Sequence, residues 1–443
     1  MFTSCTKYLS TRLSFFDGNT LEVFRKSSAS LIVKIIGMAA GLLVSIFLGR
    51  TLGADGLGII NLANRVVFLV LILTMFGLDN VLIKRIAIAY ERKNWNSIKN
   101  SINTALVISL SIALLLSSLG IISADFLSSK VFHSAQLKIP MIIALIMIIP
   151  QTLSRIYAAG LIGFRKIWQS NLVNETLSMW VVLILLTISY VFKIEITVIS
   201  AAVIYAIGRI AVTLSVKTYW KKIFHFKGGE KQWQTKSMLK TALPLLLVTS
   251  TSVIASNADA IMLGWLSTTR EVGLYSVAAR IALLVSFFLQ VSNSAIAPKL
   301  ASLYADGKLK DMEKMVKSVT TVLIIIGTIS LIFFVLAGKL LLGFWGEEFK
   351  AAYLILIVLG IGQLLNISTG CSGMLLIMCG HERTHGKISL ASLIINLILN
   401  YFLIKSNGAV GAAYATAITL GTENITKLIL AKRKIGILTI PKI

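Results

Sequence analysis

The chain has 443 residues, 56% hydrophobic and 14% charged, with a formal net charge of +25 and a mean hydropathy of +0.85. Soluble domains carry about 25% charged residues, so a soluble enzyme and a disordered chain are excluded. An outer-membrane barrel is excluded too, because its strands would alternate in units of about ten residues, whereas this chain has unbroken apolar runs such as Val66 to Phe76 and Met179 to Ile188, each interrupted by one Thr.

About 20 apolar residues cross the hydrocarbon core as a helix. Residues 1–27 hold Lys7, Arg12, Arg25 and Lys26 and no apolar core before a small-residue cleavage site. They read as a cytoplasmic N-terminal segment rather than a cleavable leader. Six spans follow at about 28–49, 58–83, 100–122, 139–160, 168–190 and 194–216. The stretch 217–240 carries seven lysines with Gly228 and Gly229, a basic cytoplasmic linker suited to anionic headgroups. Six more spans lie at about 241–266, 272–298, 318–338, 351–379, 388–404 and 408–431, and 432–443 forms a cytoplasmic tail. The predicted fold class is all-α: a polytopic membrane protein of about twelve helices in two six-helix lobes, 28–216 and 241–431.

Charge assigns the sides. The termini and the loops after helices 2, 4, 6, 8 and 10 hold 29 Lys and Arg, the opposite loops 8, and the spans 6. Cytoplasmic loops collect basic residues, so both termini are expected in the cytoplasm. The net charge therefore needs no nucleic-acid partner. Cys5, Cys371 and Cys379 are an odd, sparse set with no disulfide spacing.

The halves look related. A shift of 215 residues lays the stretch from Leu48 on that from Leu263 without a gap, matching Gly49 with Gly264, Gly58 with Gly273, Ala63 with Ala278 and Arg65 with Arg280. Each unit has an even number of helices, so the copies share one orientation. Such parallel repeats are a transporter architecture, with substrate handled between the lobes.

An ionisable side chain inside a span costs about 2.5–3.5 kcal/mol and needs a partner, water or a function. Depth along the helices, at about 1.5 Å per residue, suggests the pairs. Asp259 and Arg280 are level in adjacent helices, as are Glu175 with Arg209 and Lys34 with Asp79; Glu423 and Lys427 have the i,i+4 spacing of an intrahelical pair. Arg65 has no acid at its depth in the hairpin, because Val44 stands where the second half has Asp259. With Asn61 one turn away, Arg65 is expected to face a wet central cavity. The excess of bases favours anionic cargo, and a guanidinium fork matches phosphate oxygens. Cavity candidates are Arg65, Arg280, Lys34, Arg209 and Asn61; ion-pair or coupling candidates are Asp259, Glu175 and Asp79. Asn396, Asn400, Gln363 and Asn366 read either as sugar contacts or as interhelical glue.

His381-Glu382-Arg383-Thr384-His385 matches the H-E-x-x-H zinc pattern. That chemistry needs both His on one helical face and a third ligand. Gly380 and Gly386 flank the motif in an expected loop, so no metal site is expected. No P-loop is present, and no cofactor is expected.

Asp259-Ala-Ile-Met-Leu-Gly264 followed by Glu271-Val-Gly-Leu-Tyr275-Ser-Val-Ala-Ala-Arg280 resembles the helix 7–8 hairpin of the polysaccharide transporter family. Leu48-Gly-Arg-Thr-Leu-Gly-Ala-Asp-Gly-Leu-Gly58 resembles its helix 1–2 connection. This family holds the Wzx-type O-antigen flippases and belongs with the lipid II flippases and MATE exporters in one superfamily. The resemblance implies a V of two lobes. It also implies transfer of undecaprenyl-pyrophosphate-linked oligosaccharide from the cytoplasmic to the periplasmic leaflet of a bacterial inner membrane by alternating access. Arg65 and Arg280 would meet the pyrophosphate. Membrane lipids, a coupling proton or sodium ion and other polysaccharide-assembly proteins are the remaining expected partners. A MATE-type multidrug exporter is the alternative, disfavoured because cationic drugs want acids. A polymerase or glycosyltransferase would need a larger catalytic loop, so no enzyme is expected.

Overall fold

The structure, a computed structural model, describes residues 18–226, 229–230 and 232–440. Most of the expected N-terminal segment, part of the linker and the last three tail residues lie outside that range.

Helix α1 runs Gly18–Met75 and is broken at Gly53, where φ is 69° and ψ −174°. Only glycine adopts such a backbone without a Cβ penalty, so the predicted helices 1 and 2 are two arms of one kinked run. After Gly77 the second arm resumes as α2 (Leu78–Glu91). Asn94 then opens α3 (Trp95–Ile122), its side chain accepting from the Ser97 N–H. The next span is split into α4 (Lys138–Ile146) and α5 (Ile148–Gly163). Ile167–Asn171 passes through a π turn at Leu172–Thr176 into α6 (Leu177–Val191). A capping box of Thr197 and Ser200 starts α7 (Val198–Ile223).

The second half comprises α8 (Thr235–Leu266), α9 (Thr269–Ala305), α10 (Leu309–Gly343), α11 (Tyr353–Ser368), α12 (Ser372–Met378) and α13 (Glu382–Ile435). Gly408, with φ 55°, breaks α13 into two arms. Among the described residues, 8 helices are long and apolar enough to cross a membrane, or 9 with the bent α8 counted as one span. No strand is present among the described residues. This is a multi-pass all-helical membrane protein.

One expectation changes here. The H-E-x-x-H stretch is not a loop: His381 stands at the N-cap position of α13, and Glu382 through Gly386 form its first turns. Gly386 lies within the helix and Gly380, at φ 79°, just before it. The flanking glycines therefore mark one helix boundary, not two. No group of three potential metal ligands exists among the described residues.

The halves meet chiefly where α1 packs on α9, and the crossing point is a pair of glycines. A Cβ on Gly58 would stand 1.8 Å from the Thr269 carbonyl oxygen, and one on Gly273 would stand 1.9 Å from that of Ala54. Lipid tails are as apolar as leucine, so helices in a membrane associate through such close packing of small residues. One apolar core runs through both halves past this crossing, including Leu48, Leu62, Leu263 and Ala278. A second lies within the first half, around Leu82, Ile102, Ile156 and Val216, and takes in Met238 and Ala242 from the start of α8.

Candidate functional site: a basic cavity between the halves

On one side of the glycine crossing, α1 and α9 diverge and leave a cavity of about 600 Å³. Asn61, Arg65, Tyr205, Ser276 and Arg280 supply its polar wall. Ile35, Met38, Leu283 and Phe287 continue it as an apolar flank. No Asp or Glu is among the described residues that line it. The site is therefore cationic at one end and greasy along the other, and its volume is in the usual range of a small-molecule pocket.

The two arginines are held across the halves. Arg65 Nη1 donates to the Ser256 carbonyl at 3.0 Å and to Asn257 Oδ1 at 3.2 Å. Arg280 Nη1 donates to the Gly41 carbonyl at 2.6 Å. Arg65 and Arg280 are 215 residues apart, and so are Gly41 and Ser256. Each repeat-related arginine thus grips the same backbone position in the opposite repeat. Arg65 has no partner in its own hairpin because its acceptors, Ser256 and Asn257, belong to the other half.

The predicted Asp259–Arg280 ion pair does not form. Asp259 Oδ2 accepts from Tyr275 Oη and Thr416 Oγ1, both at 2.7 Å, and Oδ1 accepts from Asn400 Nδ2 at 2.8 Å. The carboxylate points to α13 while Arg280 points to α1. Equal depth sets height along the helices, and rotation about each axis directs the side chains apart. A separate pocket of about 210 Å³ adjoins Asp259, bounded by Ser392, Asn396, Thr416 and Glu423. The buried Asn400 Oδ1 has no hydrogen-bond partner.

Lys34 is exposed, outside the cavity wall, and Asp79 accepts from its neighbour's Asn80 N–H; no Lys34–Asp79 pair forms. The side chain of Glu175 lies outside the described residues. Arg209 lines a smaller pocket with Asn64, Gln151 and Tyr205, and Tyr205 stands between that pocket and the cavity. Lys427 and Glu423 do pair, at 2.6 Å, with Ser389 donating to the same carboxylate. Asn400 bridges α13 to Asp259 on α8, and Asn366 bridges α11 to Asn424 on α13, so these two join helices of the second half; Asn396 bonds Asn400 and Gln363 bonds Asn366 within their own helices. Sequence reasoning missed Tyr205, Ser276, Gly41 and Ser256. The last two contribute backbone carbonyls, which no residue type in the sequence marks.

Beyond the crossing, away from the cavity, polar contacts seal the halves together. Glu348 Oε1 accepts from the Ala54 N–H at 2.7 Å, just past the Gly53 kink. Arg50 Nε donates to the Phe344 carbonyl at 2.8 Å, Trp345 Nε1 donates to Ser45 Oγ at 3.0 Å, and Thr269 donates to Asp55. Glu271 plays the same capping part within the second half, accepting from the Ala409 N–H at 2.7 Å beside the Gly408 kink.

Residues 23–304, more than half of the chain, match the family described as polysaccharide biosynthesis protein. The chain belongs to that family. Residues 244–402 of this family member also match the MatE family. The capsular polysaccharide biosynthesis protein CapF of Staphylococcus aureus is 28% identical over 42% of this chain and 47% of its own length. The probable low-salt glycan biosynthesis flippase Agl15 of Haloferax volcanii is 26% identical over 43% of this chain and 42% of its own. The matched stretch thus spans about half the length of either relative.

Among solved structures, an inward-facing multidrug resistance MATE family transporter of the MOP superfamily superposes with a TM-score of 0.76 at 14% identity, covering 92% of this chain and 98% of that one. The lipid II flippase MurJ in an inward closed conformation gives 0.71 at 17% identity, covering 91% and 87%. At these identities the likeness establishes the fold, that of the MATE-like transporters.

Proposed function

We propose that this polysaccharide biosynthesis family protein is a flippase. It carries undecaprenyl-pyrophosphate-linked oligosaccharide, an O-antigen or other surface polysaccharide unit, from the cytoplasmic to the periplasmic leaflet of the inner membrane. The observation that carries the reading is the cavity itself, with Arg65 and Arg280 on one wall and an apolar flank on the other. A pyrophosphate wants the guanidinium forks, and a polyprenyl chain wants the apolar side. A cationic drug would meet two arginines there and no described acid, which argues against multidrug export.

In this reading the chain crosses the membrane twelve times, with lobes 28–216 and 241–431 joined by the basic linker 217–240. Both termini are cytoplasmic, so the cavity faces the cytoplasm and the Glu348 seam faces the periplasm. Asp259 and its pocket are the place for a coupling proton or sodium ion, because a carboxylate with a spare acceptor at Asn400 beside it suits a cation. The chain transports and does no covalent chemistry.

The test is surface polysaccharide in a deletion strain, normalised to membrane protein level. The parental gene restores it, and Arg65→Ala and Arg280→Ala do not. Full restoration by both variants would remove the cavity from the pathway.

A further inference from the structure

We infer that protons reach Asp259 from the cytoplasm through the second half itself, along a polar track whose mouth is the Glu423–Lys427 pair. This rests on the coupling role proposed above for Asp259 and adds the route and the identity of the ion. Ser389, Ser392 and Asn396 on the first arm of α13, and Thr416, Thr419 and Glu423 on the second, share the spacing i, i+3, i+7, which sets each trio on one helical face. Together with Asp259 on α8, all six border the pocket of about 210 Å³. Thr416 bonds Asp259, and Glu423 lies about 10 Å farther toward the cytoplasmic end of the same arm. The matching place in the first half is apolar. Val44 stands there instead of Asp259, buried in a core with Val182 and Leu186 of α6 and Ala201 of α7. The fold therefore does not require the polar faces, and ionisable groups inside a span mark ion pathways and proton relays.

The track suits a proton better than a metal ion. One water needs about 10–15 Å³ of such space and two to four polar partners, so the pocket has room and partners for a file of waters. At the mouth, Lys427 Nζ stands 2.6 Å from Glu423 Oε1, with side chains only 10% and 18% exposed. Ser389 donates to the same carboxylate oxygen, and His385 packs beside Lys427 on Gly373 as the third ionisable group there. A metal cation entering at this point meets the ammonium, whereas a proton joins the carboxylate. Glu423 takes a proton from water, releases it to the water file and re-forms its pair with Lys427. Asp259 gains that proton and loses its charge.

The neighbours of Asp259 fit both of its forms. The ionised carboxylate accepts from Tyr275 Oη and Thr416 Oγ1. Once protonated, it donates to Tyr275 Oη. The Tyr275 hydroxyl then turns to Thr416 Oγ1 at 3.1 Å, and the Thr416 hydroxyl keeps the Ala412 carbonyl at 3.0 Å. Only hydroxyl hydrogens turn. Among the described residues, Tyr275 on α9 and Arg65 on α1 are the ionisable groups within reach of Asp259 from the other helices.

The experiment applies a step to lower pH to proteoliposomes of the purified full-length protein on a solid-supported membrane. It reads the transient current of protons entering sites inside the membrane. The parental protein should give such a current, and a sodium step at constant pH should give none. Asp259→Asn should abolish the current. Glu423→Gln should slow its rise by about a hundredfold, the low end of what a positioned proton-transfer group contributes. That variant strands Lys427, and breaking a buried pair is destabilising. Glu423→Gln with Lys427→Met therefore serves as the second variant; it leaves no unpaired charge at the mouth and should be equally slow. A current of parental speed in the double variant overturns the route. A current driven by sodium overturns the choice of ion, and no current from either step overturns the inference as a whole. Surface polysaccharide in the deletion strain is scored in parallel. Its restoration by the parental gene leaves the flippase reading standing in all three cases. Its absence beside a proton current that Asp259→Asn abolishes removes the flippase reading and keeps the route.

Discussion

Gly58 and Gly273 face each other across the pseudo-two-fold axis of the molecule. Each is packed on the backbone that precedes the other, Gly58 on Thr269 and Gly273 on Ala54, and those two contact residues are themselves 215 apart. Internal duplication thus becomes a symmetric joint between the halves. Gly58→Ala and Gly273→Ala should be damaging to a similar degree, because a Cβ at either place meets a carbonyl that no side-chain rotation can clear. Overpacking costs about 1–3 kcal/mol and sometimes more. Thermal unfolding of the purified variants, read as a lower midpoint for both, checks this; a neutral result at either glycine would contradict the joint.

The arginines should behave alike, which differs from the sequence-based expectation that Arg280 alone is paired. Each loses only bonds to neutral acceptors bordering a cavity, worth about 0.5–1.5 kcal/mol apiece. Arg65→Ala and Arg280→Ala should therefore hold near-parental abundance while surface polysaccharide falls. Arg→Lys at either position should recover only part of the transport, because a point charge replaces a fork.

Asp259→Ala should cost more stability than either arginine variant. It removes the charged acceptor shared by Tyr275, Thr416 and Asn400, and hydrogen bonds to a charged group are worth about 1.5–3 kcal/mol against about 0.5–1.5 for neutral ones. Asp259→Asn combined with Arg280→Gln should show no mutual rescue, since the two side chains share no hydrogen bond. Membrane abundance by quantitative immunoblot distinguishes the cases; recovery in the double variant would restore the ion pair that the geometry denies.

Glu348 and Glu271 cap helix arms in the same way but in different company. Glu348 joins the halves and Glu271 stays within one. Loss of a cap costs about 1 kcal/mol. Glu348→Ala should thus raise labelling of Ala54→Cys, a position fully buried in the parental protein, by a water-soluble maleimide roughly fivefold. Glu271→Ala should lower folded protein without that increase. Equal labelling in both would mean the seam does not depend on Glu348.

His381→Ala and His385→Ala, alone or together, should leave transport intact. His381 stands at the N-cap position without a side-chain capping bond, His385 packs near Gly373 and Lys427, and no third ligand joins them among the described residues. Zinc measured by mass spectrometry in the purified protein should be the same with and without the two histidines.

The all-helical membrane fold was legible from the sequence because a spanning helix is a local property: the apolar run that must face lipid is contiguous in the chain. The duplication was legible because Gly58, Gly273, Arg65 and Arg280 keep one register without gaps. The partners of the buried charges were not. Residue counting gives the height of Asp259 and Arg280 along their helices but not the direction each faces, and the tertiary packing turns one toward Thr416 and the other toward Gly41. The seam at Glu348 and Ala54 joins residues 294 apart, and the two ties of the arginines are formed only when the repeats meet about their axis. Those contacts depend on how two halves are rotated against each other, which no run of consecutive residues encodes, so tertiary structure alone determined them.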